Sequence, residues 1–138
     1  MTLHGRHLLV TGAAGAIGAA IARAFARRDP TLRQSLVDVD ARGVEATAGT
    51  LGCDAAAFHW DLAEPAALPA SVQALVAKRG PVDVLVNCAG IMEIRSLVAT
   101  EWGLGERLLR VDLESPLRLM ALLVPPMVAR GSGAVVNV

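Results

Sequence analysis

Short apolar runs alternate with helix-period segments along the whole chain. His7–Thr11 (HLLVT) is a five-residue run followed at once by a glycine, the pattern of a strand covered on both faces. Ile17, Ala20, Ile21, Ala24 and Phe25 recur at i, i+3, i+4, i+7 and i+8, which predicts a helix with those residues as its inner face. Arg23, Arg27 and Arg28 place positive charge toward its C-terminal end, and Asp29-Pro30 stops it. SLVDV (35–39) predicts a second strand, and 41–51 a second helix with Val44, Ala48 and Leu51 on one side. A third strand is expected over 56–60. Leu68, Val72, Leu75 and Val76 then mark a third helix, with Pro69 in the first turn, where proline is tolerated. Gly80-Pro81 closes that helix, and VDVLVN (82–87) predicts a fourth strand. Thr100 is placed to cap a helix through Trp102 and Leu108, and a further helix is expected over about 113–130, with Pro116 near its start. Gly131-Ser132-Gly133 turns the chain into AVVNV (134–138), a fifth strand.

Strands separated by helices of this length pair in parallel, because a parallel neighbour requires a crossover. Right-handed crossovers on both faces give an α/β, doubly wound sheet with the expected order 3-2-1-4-5 and a crevice between the first and fourth strands. Composition agrees with such a core. Hydrophobic residues make up 54% and charged residues 19% of the 138, against usual values of roughly 45–50% and 25%. Thirteen basic and 13 acidic residues cancel, so no global field recruits nucleic acid or an anionic membrane. Cys53 and Cys88 form no CxxC pair, and His4, His7 and His59 lack metal-ligand spacing with them, so no metal site is expected. The start of the chain carries no long apolar run, and Leu119 to Ala129 is short and broken by Pro125 and Pro126. A cytoplasmic protein is the expectation.

The first candidate chemistry lies between the first strand and the first helix, in Thr11-Gly12-Ala13-Ala14-Gly15-Ala16-Ile17-Gly18. Glycines there let the backbone turn tightly and approach a pyrophosphate, which would rest on free N–H groups at the positive end of the helix. Asp38 follows Gly18 by twenty residues, where a dinucleotide fold of the Rossmann type puts the carboxylate that accepts hydrogen bonds from the adenosine ribose. Its charge opposes a 2′-phosphate, so NAD is expected over NADP. Arg42 nearby is of the type that accommodates such a phosphate, and Asp40 is a solvated neighbour.

These residues give the whole chain a resemblance to the N-terminal, cofactor-binding part of the short-chain dehydrogenase/reductase family. In that family's TGxxxGxG turn, Thr11, Gly12, Ile17 and Gly18 match, while Ala16 stands at the middle glycine and Gly15 one place earlier. The resemblance makes Gly12, Gly15, Ala16, Ile17, Gly18 and Asp38 cofactor-binding. Asp61-Leu62 resembles the pair that contacts adenine, although Asp61 before Glu64 also fits an ordinary helix N-cap. Asn87-Cys88-Ala89-Gly90 resembles the NNAG segment, which implies that Asn87, Ala89 and Gly90 lie along the cofactor, with Cys88 a small buried residue. Val111-Asp112-Leu113 resembles VNL, whose asparagine kinks a helix and holds a water of the proton relay. Asp112 stands there, and a helix-capping role fits it equally. Glu101, Trp102 and the stripe Leu119, Leu122, Leu123 and Met127 are expected to pack core or an interface.

The last strand resembles IVNVSS, and the residues that follow in the family include a serine and a YxxxK pair. This chain contains no tyrosine, and Lys78, its only lysine, lies on the third helix. The expectation is one NAD(P)-binding domain over 1–138, truncated after the fifth strand and inactive alone. The family reaction is hydride transfer between a nicotinamide and a carbonyl or alcohol substrate, here requiring a C-terminal half. An apolar fifth strand left at an edge predicts self-association. A rival reading is a non-catalytic nucleotide-binding or dimerisation module.

Overall fold

The computed structural model describes residues 4–138; the first three residues, part of the chain start considered above, lie outside the described residues. The strands are β1 (His7–Thr11), β2 (Arg33–Asp38), β3 (Ala55–His59), β4 (Val84–Asn87) and β5 (Ala134–Asn137). The helices are α1 (Ala16–Arg28), α2 (Ala41–Gly49), α3 (Leu68–Arg79), α4 (Trp102–Leu109) and α5 (Ser115–Ala129). A 3-10 turn, Pro65–Ala67, leads into α3, and a π turn, Arg110–Glu114, joins α4 to α5. All strands are parallel, in the order β3-β2-β1-β4-β5. Fold class and strand order are those expected from the sequence.

Period-two alternation divides the core between the two faces of the sheet. Leu9, Val37 and Leu85 share one apolar cluster with Leu68, Val72 and Leu75 of α3 and Leu119, Leu123 and Met127 of α5. Leu8, Val10, Leu36, Val84 and Val86 share the other with Ala22 of α1 and Val44 of α2. Each fully buried leucine contributes about 1.5–3 kcal/mol, so the middle of β1, covered on both faces, is apolar at Leu8, Leu9 and Val10.

Two expectations are corrected here. The inner face of α1 is Gly18, Ala19, Ala22 and Ala26, with Ile21 and Phe25 only partly buried. Ile17 is 61% exposed, and Ala20 and Ala24 face solvent. The cause is close approach: a Cβ on Gly18 would collide with the Gly12 carbonyl, so only small side chains fit beneath the first turn of this helix. Thr100 does not cap α4. Its hydroxyl donates to the Ser96 carbonyl at 2.9 Å, closing a 3-10 turn at Leu97–Ala99, and the cap position of α4 is Glu101, which makes no side-chain cap bond. Trp102 is 73% exposed and packs no core.

At the N-terminal ends of the strands, polar side chains tie the sheet together. His7 is fully buried. Its Nδ1 lies 3.0 Å from the Gly80 carbonyl and 3.2 Å from that of Pro81. Carbonyls only accept, so Nδ1 carries the proton and Nε2 accepts from the Ser35 hydroxyl at 2.8 Å. The His7 amide donates to Asp83, which also pairs with Arg6 at 3.2 Å. Arg79 bonds Asp54 at 2.7 Å.

Candidate functional site

The opposite ends of the strands are joined through backbone. The Thr11 hydroxyl oxygen accepts from the amides of Cys88 and Ala89, both at 3.1 Å, drawing the turn after β1 against the turn after β4. Gly12 adopts φ +69°, and a Cβ there would stand 2.7 Å from the Ala89 Cα, so glycine is required twice over. The Ala13 amide donates to the Val37 carbonyl at 3.1 Å, and the Gly15 amide to that of Gly12 at 3.1 Å. Helix α1 starts at Ala16 behind Gly15, which offers no capping side chain, and no acidic residue occupies the first turn. The amides of Ala16, Ile17 and Gly18 therefore have no acceptor within the helix and stand at its positive end.

Asp38 ends β2. One carboxylate oxygen accepts from the Ala14 amide at 2.9 Å and the other from the Asp40 amide at 3.0 Å. Those bonds fix the carboxylate and leave lone pairs free for a ligand. Asp40 accepts from the Gly43 amide at 3.0 Å and caps α2. Asp61 accepts from the Ala63 amide at 2.8 Å, and its carbonyl from the Glu64 amide at 3.1 Å. This is a local turn, and the helix N-cap alternative for Asp61 fails because the 3-10 turn begins only at Pro65, with Glu64 in the cap position.

Asp112 lies in the π turn, where its carboxylate accepts from the Ile91 amide at 2.9 Å. The helix capping considered for it is not what it does: it fastens the segment after β4 to the helix. A π turn widens the helix by about one residue, and Asp112 sits within it. Cys88 is only partly buried, and burial pushes its thiol up from the usual value, away from the lowered range of reactive cysteines.

Between these turns lies a crevice of about 560 Å³, within the size range of small-ligand sites. It brings together Gly12, Gly15, Ala16, Ile17 and Gly18 with Asp38, Asp61, Leu62, Ala89 and Gly90. Asn87 is the exception. It is buried beneath the crevice, and its side-chain amide donates to the Asn137 side-chain oxygen at 2.8 Å, tying β4 to β5. Arg42 is exposed and does not line the crevice. Sequence reasoning missed Trp60, Ile91 and Arg107 as lining residues. Arg107 lies four residues before Val111, which also lines the crevice, and that spacing puts both on one helix face.

Residues 6–138 match the family model described as short chain dehydrogenase. The chain belongs to the short-chain dehydrogenase family. Among its relatives, D-threitol dehydrogenase of Mycolicibacterium smegmatis is 37% identical over 141 residues, covering 98% of this chain and 52% of that protein. Sorbitol dehydrogenase of Cereibacter sphaeroides is 30% identical, over 96% of this chain and 51% of its own length. A metagenomic short-chain oxidoreductase solved with NADP superposes with a TM-score of 0.92 at 31% identity, over 98% of this chain and 62% of that one. L-sorbose reductase from Gluconobacter frateurii, solved with NADPH and L-sorbose, gives a TM-score of 0.88 at 27% identity, over 98% of this chain and 52% of that one. This short-chain dehydrogenase chain thus spans about half the length of those two dehydrogenases. Among its described residues no helix is long and apolar enough to cross a membrane, and no three His, Cys, Asp or Glu side chains group as a metal site.

Proposed function

We propose that the crevice binds a nicotinamide dinucleotide, NAD in preference to NADP, for hydride transfer between the nicotinamide and a carbonyl or alcohol. The residues fit such a group. The amides of residues 16–18 and the bare Gly12–Gly15 backbone suit a pyrophosphate. Asp61 and Leu62, which line the same crevice, are assigned to the adenine, and Ala89 and Gly90 line it on the β4 side. The observation that carries the NAD preference is the Asp38 carboxylate, which lines the crevice and is fixed by the Ala14 and Asp40 amides. It can accept from ribose hydroxyls and repels a 2′-phosphate. NADP and NADPH in the two solved relatives mark the alternative preference.

Bound nicotinamide supplies the hydride acceptor or donor. The residues described here bind and orient it. Carbonyl reduction also needs an acid beside the oxygen, and these 138 residues hold no tyrosine. Lys78, in the last turn of α3, stands at the opposite rim. We assign this chain the cofactor-holding part of the reaction, and the proton transfer to residues of a fuller polypeptide.

Calorimetric titration of the 138-residue chain with NAD and NADP tests the reading. NAD binds more tightly, and Asp38→Ala weakens NAD about tenfold while closing the gap to NADP, the size of one partly exposed charge-assisted contact. Tighter NADP binding by the unmodified chain overturns the assignment of Asp38.

A further inference from the structure

Arg107 lies in the last turn of α4 and lines a crevice whose other charged side chains are all acidic, namely Asp38, Asp40 and Asp61. Among the described lining residues it is the one cation. Its neighbours are engaged elsewhere: Arg110 pairs with Glu106 at 2.8 Å and Arg118 with Glu114 at 2.8 Å. Arg107 itself makes no ion pair among the described residues. Nor is it packed into the core: Arg107 is exposed, and α4 has no fully buried residue. The helix runs on through the π turn into α5, so no helix end accounts for a cation on the face shared with Val111. A dinucleotide brings two pyrophosphate charges into a site already lined by three carboxylates, and backbone amides supply only partial positive charge. A guanidinium answers this with a planar fork matched to phosphate oxygens.

Resting on the cofactor reading above, we propose that Arg107 is a specificity-determining binding residue whose guanidinium supplies the counter-charge for the pyrophosphate of the cofactor. The chain then prefers ligands by their pyrophosphate, and its affinity for them falls with added salt.

The test is calorimetric titration of the 138-residue chain, its Arg107→Met and its Arg107→Lys variants with adenosine, ADP, NAD and NADP, with thermal melts matched beforehand. Arg107→Met weakens ADP and NAD each about tenfold, leaves adenosine within about twofold and flattens the salt dependence, while Arg107→Lys recovers part of the loss. Unchanged ADP and NAD affinity in Arg107→Met overturns the assignment alone. An equal loss for adenosine overturns it in favour of packing on the base. A loss confined to NADP overturns it in favour of the 2′-phosphate. A wild-type chain that binds none of the phosphate ligands overturns the cofactor reading and this assignment with it.

Discussion

At the N-terminal rim of the sheet, His7 bonds Ser35, Asp83 holds the His7 amide and Arg6, and Arg79 bonds Asp54. At the C-terminal rim the strands are joined by the Thr11 hydroxyl, by one side-chain bond between Asn87 and Asn137, by backbone amides and by glycines packed against backbone, and helix α1 starts with open amides. The difference follows from what each end must do. A rim that receives a ligand keeps polar groups unsatisfied and walls thin, so it holds its shape by close backbone approach. The other rim has no such duty and is cross-linked by side chains. Loss of a side chain should therefore harm stability at one rim, whereas gain of one should harm both shape and binding at the other.

The sharpest way to break this contrast is to add a methyl group at the thin wall. Gly12→Ala forces a side chain into a positive-φ position and against the Ala89 backbone. Urea unfolding is expected to show a loss of about 3 kcal/mol, with NAD binding lost in the fraction that still folds. A variant of normal stability and affinity would show that this wall yields.

The matching deletion at the other rim is Asp83→Ala, which strips a partner from the buried His7 amide and from Arg6. Stability is expected to fall by about 2 kcal/mol, while NAD affinity of the folded chain holds. A parallel fall in affinity would mean that the rims are coupled.

The smallest effect sharpens the comparison through pH. Burial pushes the His7 imidazole below its usual 6.5, Arg33 and Arg79 push the same way, and the Gly80 and Pro81 carbonyls oppose them. Asp83 also faces this rim. The folded state favours neutral His7, so its contribution is fully present above 6.5. It is lost as pH falls through the lower folded value, at no more than about 1.4 kcal/mol per pH unit. Urea midpoints measured from about pH 7 down to about pH 5 should fall, and His7→Gln should remove that part of the slope.

Strand order, the glycine turn and the place of Asp38 were legible because each is written in residue types with strong local meaning: HLLVT, VDVLVN, and Gly12, Gly15 and Gly18 between strand and helix. The packed face of α1 was not. It is made of glycine and alanine, which carry little hydrophobic signal, while Ile17 advertises a face that the fold leaves open. Arg107 was illegible for another reason. The π turn interrupts the period that would have related α4 to the buried stripe of α5, so the four-residue spacing of Arg107 and Val111 could not be tied to the crevice from the sequence alone. Asn87 came to notice only through the resemblance, and its side chain supports the sheet by holding β4 to β5.

The π turn at Arg110–Glu114 also makes this stretch of chain a counted length. At about 100° per residue, Val111 and Leu119 would stand roughly 80° apart on an unbroken α-helix. The extra residue taken up by the wide turn brings them back toward one line, and both are buried in the same apolar cluster. Removing one residue here would let the wide turn close into a regular, hydrogen-bonded helix with its two ends still in phase, one toward the crevice and the other toward the core. A further residue would instead rotate those ends by about 100°. Surface loops absorb gains and losses alike during evolution with little consequence, whereas this segment takes a loss more readily than a gain.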